Sequence, residues 1–277
     1  MARYIPDISS RRWVIIAPGR ISRPDDSKKS ATVCPFCPGN EYLTTAEVMR
    51  VGEGEPNKPG WLIRVIPNKY PITDFHEVII HTPDCHRDLE SFSLDHLKKI
   101  FQVYRLRYNF YKDKGQVIIF CNHRENAGAS LKHSHSQLVV LPNQINIDAL
   151  SREPVENLID ENHFFYVYCP EFSQWPYEIW IAPKKEHTVF GDITDEEIED
   201  LVVIFQKMLK SLEKIHHQYQ LTTLPFAYNF YIYPKENWYL RLIPRFVNRA
   251  GFELGTGLSV NIVDPKDAAE EIKKIKS

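Results

Sequence analysis

The stretch Asn126-Ala-Gly-Ala-Ser-Leu-Lys-His133-Ser-His135-Ser-Gln137-Leu-Val-Val-Leu141 decides how this chain is read. Its last four residues are apolar, which argues for a strand. Side chains alternate across a strand, so positions 133, 135 and 137 are expected on one face. Two imidazoles and a carboxamide would then line one surface. Just upstream, Gly128-Ala-Ser130 is small enough for a phosphate to approach backbone N–H groups. An imidazole beside such a loop is a candidate nucleophile toward phosphorus, because histidine forms covalent intermediates. A histidine pair on a strand can equally be structural. The glutamine, the small-residue loop and a distant Cys-x-x-Cys move the reading toward catalysis.

That second motif is Cys34-Pro-Phe-Cys37, one part of a set of five cysteines (34, 37, 85, 121 and 169). An odd, sparse set without a signal peptide does not form a disulfide framework. The spacing fits a metal knuckle, which supplies two ligands and needs two more from elsewhere. A redox pair is the alternative. It would sit where a strand meets a helix, whereas Pro35, Pro38 and Gly39 spell a loop. The loop Thr82-Pro-Asp-Cys85-His86 carries two further soft-metal candidates. Arg20 and Arg23 follow Pro18-Gly19 in another loop and are residues that a phosphate site recruits for bidentate contacts.

The whole chain narrows the function classes. At 277 residues it makes one large domain or two of ordinary size, and 43% apolar residues suffice for a real core. A net charge of -2 gives no electrostatic footprint for nucleic acid or an anionic membrane. The N-terminus does not read as a signal peptide, and no run approaches the roughly 20 apolar residues of a membrane span. A soluble cytoplasmic protein is expected.

Short β-branched runs predict strands at 13–17, 61–66, 76–80 and 117–121. Ser93 caps a helix over about 94–112, whose Leu94, Leu97, Ile100, Phe101, Tyr104 and Tyr108 keep the spacing of one buried face. After a polar connector at 143–162 the order recurs. Strands are expected at 164–168, 177–181, 226–232 and 238–243, with a helix from Asp192 or Thr194 to His216. Trp175-Pro echoes Tyr70-Pro, Tyr177-Glu echoes His76-Glu, and Phe205-Gln echoes Phe101-Gln. This is an internal duplication of about 100 residues. It divides the chain into halves at 1–145 and 146–277, each reading strand, strand, helix, strand, strand. In the second half the His-x-His place falls on Arg241-Leu-Ile243, so that half keeps the fold without the chemistry. Asn248–Gly257 carries three glycines and reads as a binding loop, a tight bend or a plain connector. A short helix closes the chain at about 265–275.

Taken together, Arg-x-x-Arg, Cys-x-x-Cys, Asn68-Lys-Tyr-Pro, the Thr-Pro-Asp loop, Glu125-Asn-x-Gly-Ala-Ser and His-x-His-x-Gln resemble the galactose-1-phosphate uridylyltransferase family, in family order and over nearly the whole chain. This is the transferase branch of the histidine-triad superfamily. The resemblance implies an α/β fold of two histidine-triad-like halves, each an antiparallel sheet carrying a helix. It implies that His135 attacks the α-phosphorus of a nucleotide-sugar such as UDP-glucose, and that a sugar 1-phosphate such as galactose 1-phosphate then accepts the nucleotidyl group. Gln137 would bond the phosphoryl oxygens. Arg20, Arg23, Asn68, Asn126 and Ser130 would hold nucleotide and phosphates, and Phe252 matches a substrate-contacting position. One structural zinc would use Cys34, Cys37, His133 and Cys85, with His86 as the alternative to Cys85. No second metal is expected, because Arg241 and Ile243 replace its histidines. The family is a homodimer in which the glycine-rich segment reaches the partner's site. Ser134, and the Gly-Phe-Glu-x-Gly-Thr-Gly run from Gly251, look more like the ADP-glucose phosphorylase relatives, in which inorganic phosphate is the acceptor. A non-catalytic nucleotide-binding protein is the reading from another class, and intact His135 and Gln137 weigh against it.

Overall fold

Runs of β-branched and aromatic residues, cut by Pro, Gly and Asn, become strands around two long amphipathic helices. The computed structural model describes residues 2–7, 12–22, 33–147, 150, 152, 154–219 and 222–275. The elements run β1 (Arg3–Pro6), β2 (Trp13–Ile16), β3 (Met49–Gly52), β4 (Trp61–Pro67), β5 (His76–Ile80), α1 (Leu94–Tyr111), β6 (Gln116–His123) and β7 (His135–Leu141). They continue with β8 (Leu158–Glu161), β9 (Phe165–Tyr168), β10 (Ile179–Pro183), α2 (Asp195–Tyr219), β11 (Tyr228–Ile232), β12 (Leu240–Pro244), α3 (Gly251–Thr256) and α4 (Pro265–Lys274). Among the described residues no helix is long and apolar enough to cross a membrane.

Strands β1 and β2 form a separate hairpin. The other ten make one antiparallel sheet in the order β3-β4-β5-β7-β6-β11-β12-β10-β9-β8. The order reads the same from either edge, with β6 and β11 at the centre. The fold is therefore the duplicated one, two antiparallel sheet-plus-helix halves merged across the β6–β11 seam, where Phe120 pairs with Tyr231. Both helices cover one face. Ser93 caps α1 by accepting from the His96 N–H at 3.2 Å, and Leu97, Ile100, Phe101, Tyr104 and Tyr108 are buried. Leu94, in the open first turn, is exposed instead. Phe101 and Phe205, the matched pair of the two halves, meet edge to face at 5.4 Å. One continuous apolar cluster runs beneath both halves.

Three local expectations change. Each half carries a further edge strand, β3 and β8, and β8 lies inside the expected connector. Edge strands are short and half-polar, so periodicity does not announce them. The glycine-rich segment is not a loop but begins as α3. The echo between His76-Glu and Tyr177-Glu is one residue out of step. Paired residues share a face, so the register ties Gln137, Phe120, Tyr231, Arg241 and Trp180 to one side of the sheet. Glu178 bonds Arg241 on that side, whereas Glu77 lies under the sheet, bonded to Arg107 of α1 at 2.6 and 2.8 Å and to the Tyr111 hydroxyl. A one-residue slip reverses a side chain's face.

Where the first half has His-x-His-x-Gln, the second thus has a buried ion pair. Arg241 donates through Nε and one terminal nitrogen to the two oxygens of Glu178, at 2.7 and 2.8 Å. Glu178 also accepts from the Trp180 indole N–H at 2.7 Å. Removing one partner of such a pair leaves an uncompensated charge, at about 3–5 kcal/mol. Glu178→Ala is expected to lose about that much stability in urea denaturation. A loss below about 1 kcal/mol would mean that the pair is solvated.

Candidate active site

Strand β7 begins at His135. His133 lies in the bend before it, so the expectation that all three of 133, 135 and 137 sit on one strand is corrected. The bend has a cause. In a strand the His133 carbonyl would point sideways to a neighbouring strand; here it accepts from His135 Nδ1 at 2.8 Å. A carbonyl only accepts, so Nδ1 carries the proton and Nε2 of the neutral ring keeps its lone pair. Ile80 and Val78 of β5 pair with His135 and Gln137, fixing both side chains on the face away from the helices.

That face opens into a cavity. His135, Gln137, Asn68, Ser130, Phe36 and Tyr70 line it. Gly128, at φ 83°, makes the turn before Ser130, and a Cβ there would meet nothing within 4 Å. The loop is therefore kept clear by backbone conformation, which favours glycine.

The cysteine knuckle stands against the two histidines. Phe36 packs edge-on to His135 at 5.4 Å and to His133 at 6.0 Å. Cys34, Cys37 and His133 form a group whose donor atoms lie within 4.8 Å of one another, fit to hold a metal ion. The two sulfurs are 3.5 and 3.7 Å from His133 Nδ1. His133 Nε2 donates to the Thr82 carbonyl at 2.6 Å, so Nδ1 faces the sulfurs with its lone pair. Burial pushes the pKa of His133 down, keeping the ring neutral as a ligand must be. Burial pushes the Cys37 thiol up to about 12, and the neighbouring Cys34 and Cys85 thiols add to that. Cys85 is beside Cys37 but outside the tight group, while His86 is exposed. A second group, Asp88, Glu90 and His123, converges on the helix side. There the Arg124 guanidinium already donates to His123 Nε2 at 3.2 Å and Asp88 Oδ2 at 3.0 Å.

Two sets of polar residues escaped the sequence. Beneath the sheet, His81 Nδ1 lies 3.0 Å from Ser134 Oγ, and its Nε2 lies 2.9 Å from both Ser136 Oγ and Tyr104 OH. The signal was there: Ser134 and Ser136 alternate with the histidines, where a core-facing strand would carry apolar residues. On the cavity side, His76 Nε2 is 3.0 Å from Gln137 Oε1. Nothing in the sequence at His76 separates it from an ordinary strand residue.

The expected site residues divide. Asn68 and Ser130 line the cavity with His135 and Gln137. Arg20 donates to the Tyr70 carbonyl at 2.6 Å, next to the cavity wall but not in it. Asn126, half-buried in the turn Glu125–Ala127, and Phe252, exposed on α3, do not line the cavity. Arg23 lies outside the described residues. Ile243 lies on β12 beyond the Arg241–Glu178 pair.

Residues 19–144 match the model of the family described as the N-terminal domain of DUF4931, a domain of unknown function. The chain is 28% identical to the ADP-glucose phosphorylase of Arabidopsis thaliana, over 97% of this chain and 92% of that one. It is 24% identical to the galactose-1-phosphate uridylyltransferase of Thermotoga maritima, over 98% and 97%. Among solved structures, the A. thaliana ADP-glucose phosphorylase with bound ADP-glucose superposes with a TM-score of 0.75 at 27% identity, covering 100% of this chain and 99% of that one.

Cys34→Ser is expected to lower bound metal, read by elemental analysis, together with the melting temperature. A protein of this size shifts by about 2–4 °C for each kcal/mol lost. Unchanged metal content and unchanged melting temperature would remove the metal from this group.

Proposed function

We propose that this chain, a homologue of the galactose-1-phosphate uridylyltransferases and of ADP-glucose phosphorylase, is a nucleotidyltransferase that works through a covalent nucleotidyl-His135. The observation that carries this reading is the ring state of His135. With Nδ1–H bonded to the His133 carbonyl at 2.8 Å, Nε2 of the neutral ring carries no proton, the state in which an imidazole nitrogen attacks phosphorus. Nε2 forms a bond to the α-phosphorus of a nucleotide-sugar, and the bond from that phosphorus to the bridging oxygen breaks. The electron pair leaves with a sugar 1-phosphate. The ring becomes cationic as the P–N bond forms, and the carbonyl dipole on Nδ1–H stabilises it. An acceptor phosphate oxygen then attacks the same phosphorus and His135 departs neutral. Gln137, Asn68 and Ser130 line the cavity and are assigned to the phosphoryl oxygens; Arg20 and Arg23 are assigned to the phosphates and Asn126 to the nucleotide.

We further assign the metal group to zinc. Sulfur and nitrogen ligands at about 2.3 and 2.0–2.1 Å in a tetrahedron lie about 3.6 Å apart, and the observed separations are 3.5 and 3.7 Å. Cys85 is the fourth ligand on account of its place beside Cys37. When bound, the ion contributes folding energy and no step of the transfer. The N-terminal half, to residue 145, would carry the chemistry. The C-terminal half would complete the site in a homodimer, through Phe252 and its neighbours on the exposed face of α3.

Two donor–acceptor pairs suit this chemistry. One is UDP-glucose with galactose 1-phosphate. The other is ADP-glucose with inorganic phosphate. A specific observation favours the second: the higher identity is to ADP-glucose phosphorylase. Ser134, which resembles the phosphorylase relatives, also bonds His81 through its hydroxyl.

Intact mass after brief mixing with each nucleotide-sugar, without acceptor, tests the reading. A uridylyl or adenylyl adduct is expected on the wild type and on none of the His135→Ala protein. Phosphate-dependent discharge of an adenylyl adduct selects the phosphorylase. An adduct that persists in His135→Ala would overturn the assigned nucleophile.

A further inference from the structure

We infer that His76 is a positioning residue that locks the Gln137 carboxamide with its NH₂ group toward the cavity. The inference rests on the nucleotidyl-transfer reading for its consequence, though not for its geometry. His76 is buried at the start of β5, two residues along the same face from Val78, the direct partner of Gln137. The backbone N–H of Ile72 donates to His76 Nδ1 at 2.9 Å. A backbone N–H cannot be turned round, so Nδ1 holds a lone pair and the neutral ring carries its proton on Nε2. Among the described contacts of that nitrogen are Gln137 Oε1 at 3.0 Å and Asn68 Nδ2 at 3.1 Å. The Asn68 nitrogen is itself a donor, so the bond goes to Gln137.

The oxygen and nitrogen of a carboxamide are told apart by such partners. Asn68 is oriented in the same way, because its Oδ1 accepts from the Tyr70 N–H at 2.8 Å. Both side chains line the cavity, and both have their oxygens engaged by protein donors. What they offer a ligand is therefore NH₂ and not C=O. Two fixed donors in the cavity that His135 also lines select an acceptor-only group such as a phosphoryl, whose negative charge grows as phosphorus becomes five-coordinate. Without His76 the Gln137 amide could rotate and present its oxygen to that charge. A site held by its supporting hydrogen bonds loses rate when they are removed, even with its contacting residues intact.

The test has a structural and a kinetic part. Nitrogen-15 NMR of the histidine rings in the wild type should show His76 protonated on Nε2 and bare on Nδ1; the opposite tautomer overturns the inference whatever the protein catalyses. Rapid-quench measurement of adduct formation should then separate three proteins. His76→Leu should slow the step about tenfold, the equivalent of one hydrogen bond, with little change in the nucleotide-sugar concentration giving half the maximal rate. His76→Gln, which places an amide N–H near the lost Nε2–H, should recover most of the rate. Equal losses in the two variants, with both folded, would reduce His76 to a packing role and overturn the assignment. So would no loss in His76→Leu. If the wild type forms no adduct, the functional reading fails, and the ring tautomer together with the Gln137 amide proton shifts in His76→Leu still decides the geometry.

Discussion

The backbone carbonyl of His133 holds the site together. It accepts from His135 Nδ1, and so decides which ring nitrogen of His135 carries the proton. The same residue's ring is held at both nitrogens, by the Thr82 carbonyl on one side and the Cys34 and Cys37 sulfurs on the other. The position of one peptide group thus couples the cysteine knuckle to the His135 ring. A hydrogen bond alone contributes about 1 kcal/mol, too little to hold a bend at a strand start against the pull of the sheet. The bond from the ring of the same residue to Thr82 and its contacts with the two sulfurs add to it, and the Phe36 ring packs against both histidines.

Duplication explains why this can be afforded by the fold. Ten strands share one sheet and one continuous core, so the seam between halves is itself a strand pair with no solvent edge. On the helix side of the first half the core admits a polar set, His81 with Ser134, Ser136 and Tyr104, every member partnered. Burial pushes the pKa of His81 well down, so this ring stays neutral. A buried polar network that is fully bonded specifies one arrangement of its strands. Here it fixes β5, the start of β7 and α1 relative to one another from the face opposite the cavity. On the other face of the sheet, the one that carries Gln137, the second half has Arg241 and Glu178, which neutralise one another.

Much of the fold was legible because its signals are local. The amphipathic spacing in α1, the β-branched runs and the Phe-Gln match between halves depend only on residues near one another in sequence. The site's membership was legible in part. His135, Gln137, Ser130 and Asn68 converge as read, and Cys34 and Cys37 meet His133. The edge strands β3 and β8 were not legible, since four residues are too few to establish a period. The echo at Glu77 and Glu178 misled by one residue, because sequence similarity counts positions whereas a sheet counts faces.

By itself, then, the sequence determined which residue types are present for phosphorus chemistry, the order in which they occur and the repeat that carries them. It could do so because periodicity and motif spacing are properties of neighbouring residues. Only the tertiary structure decided the protonation pattern of the site: which ring nitrogen of His135 is bare, which way the Gln137 amide faces, and that Cys85 approaches the knuckle while His86 points to solvent. Each of these depends on a hydrogen-bond or ligand partner dozens of residues away, or on a carbonyl whose direction is set by a bend. No spacing along the chain encodes the orientation of such groups.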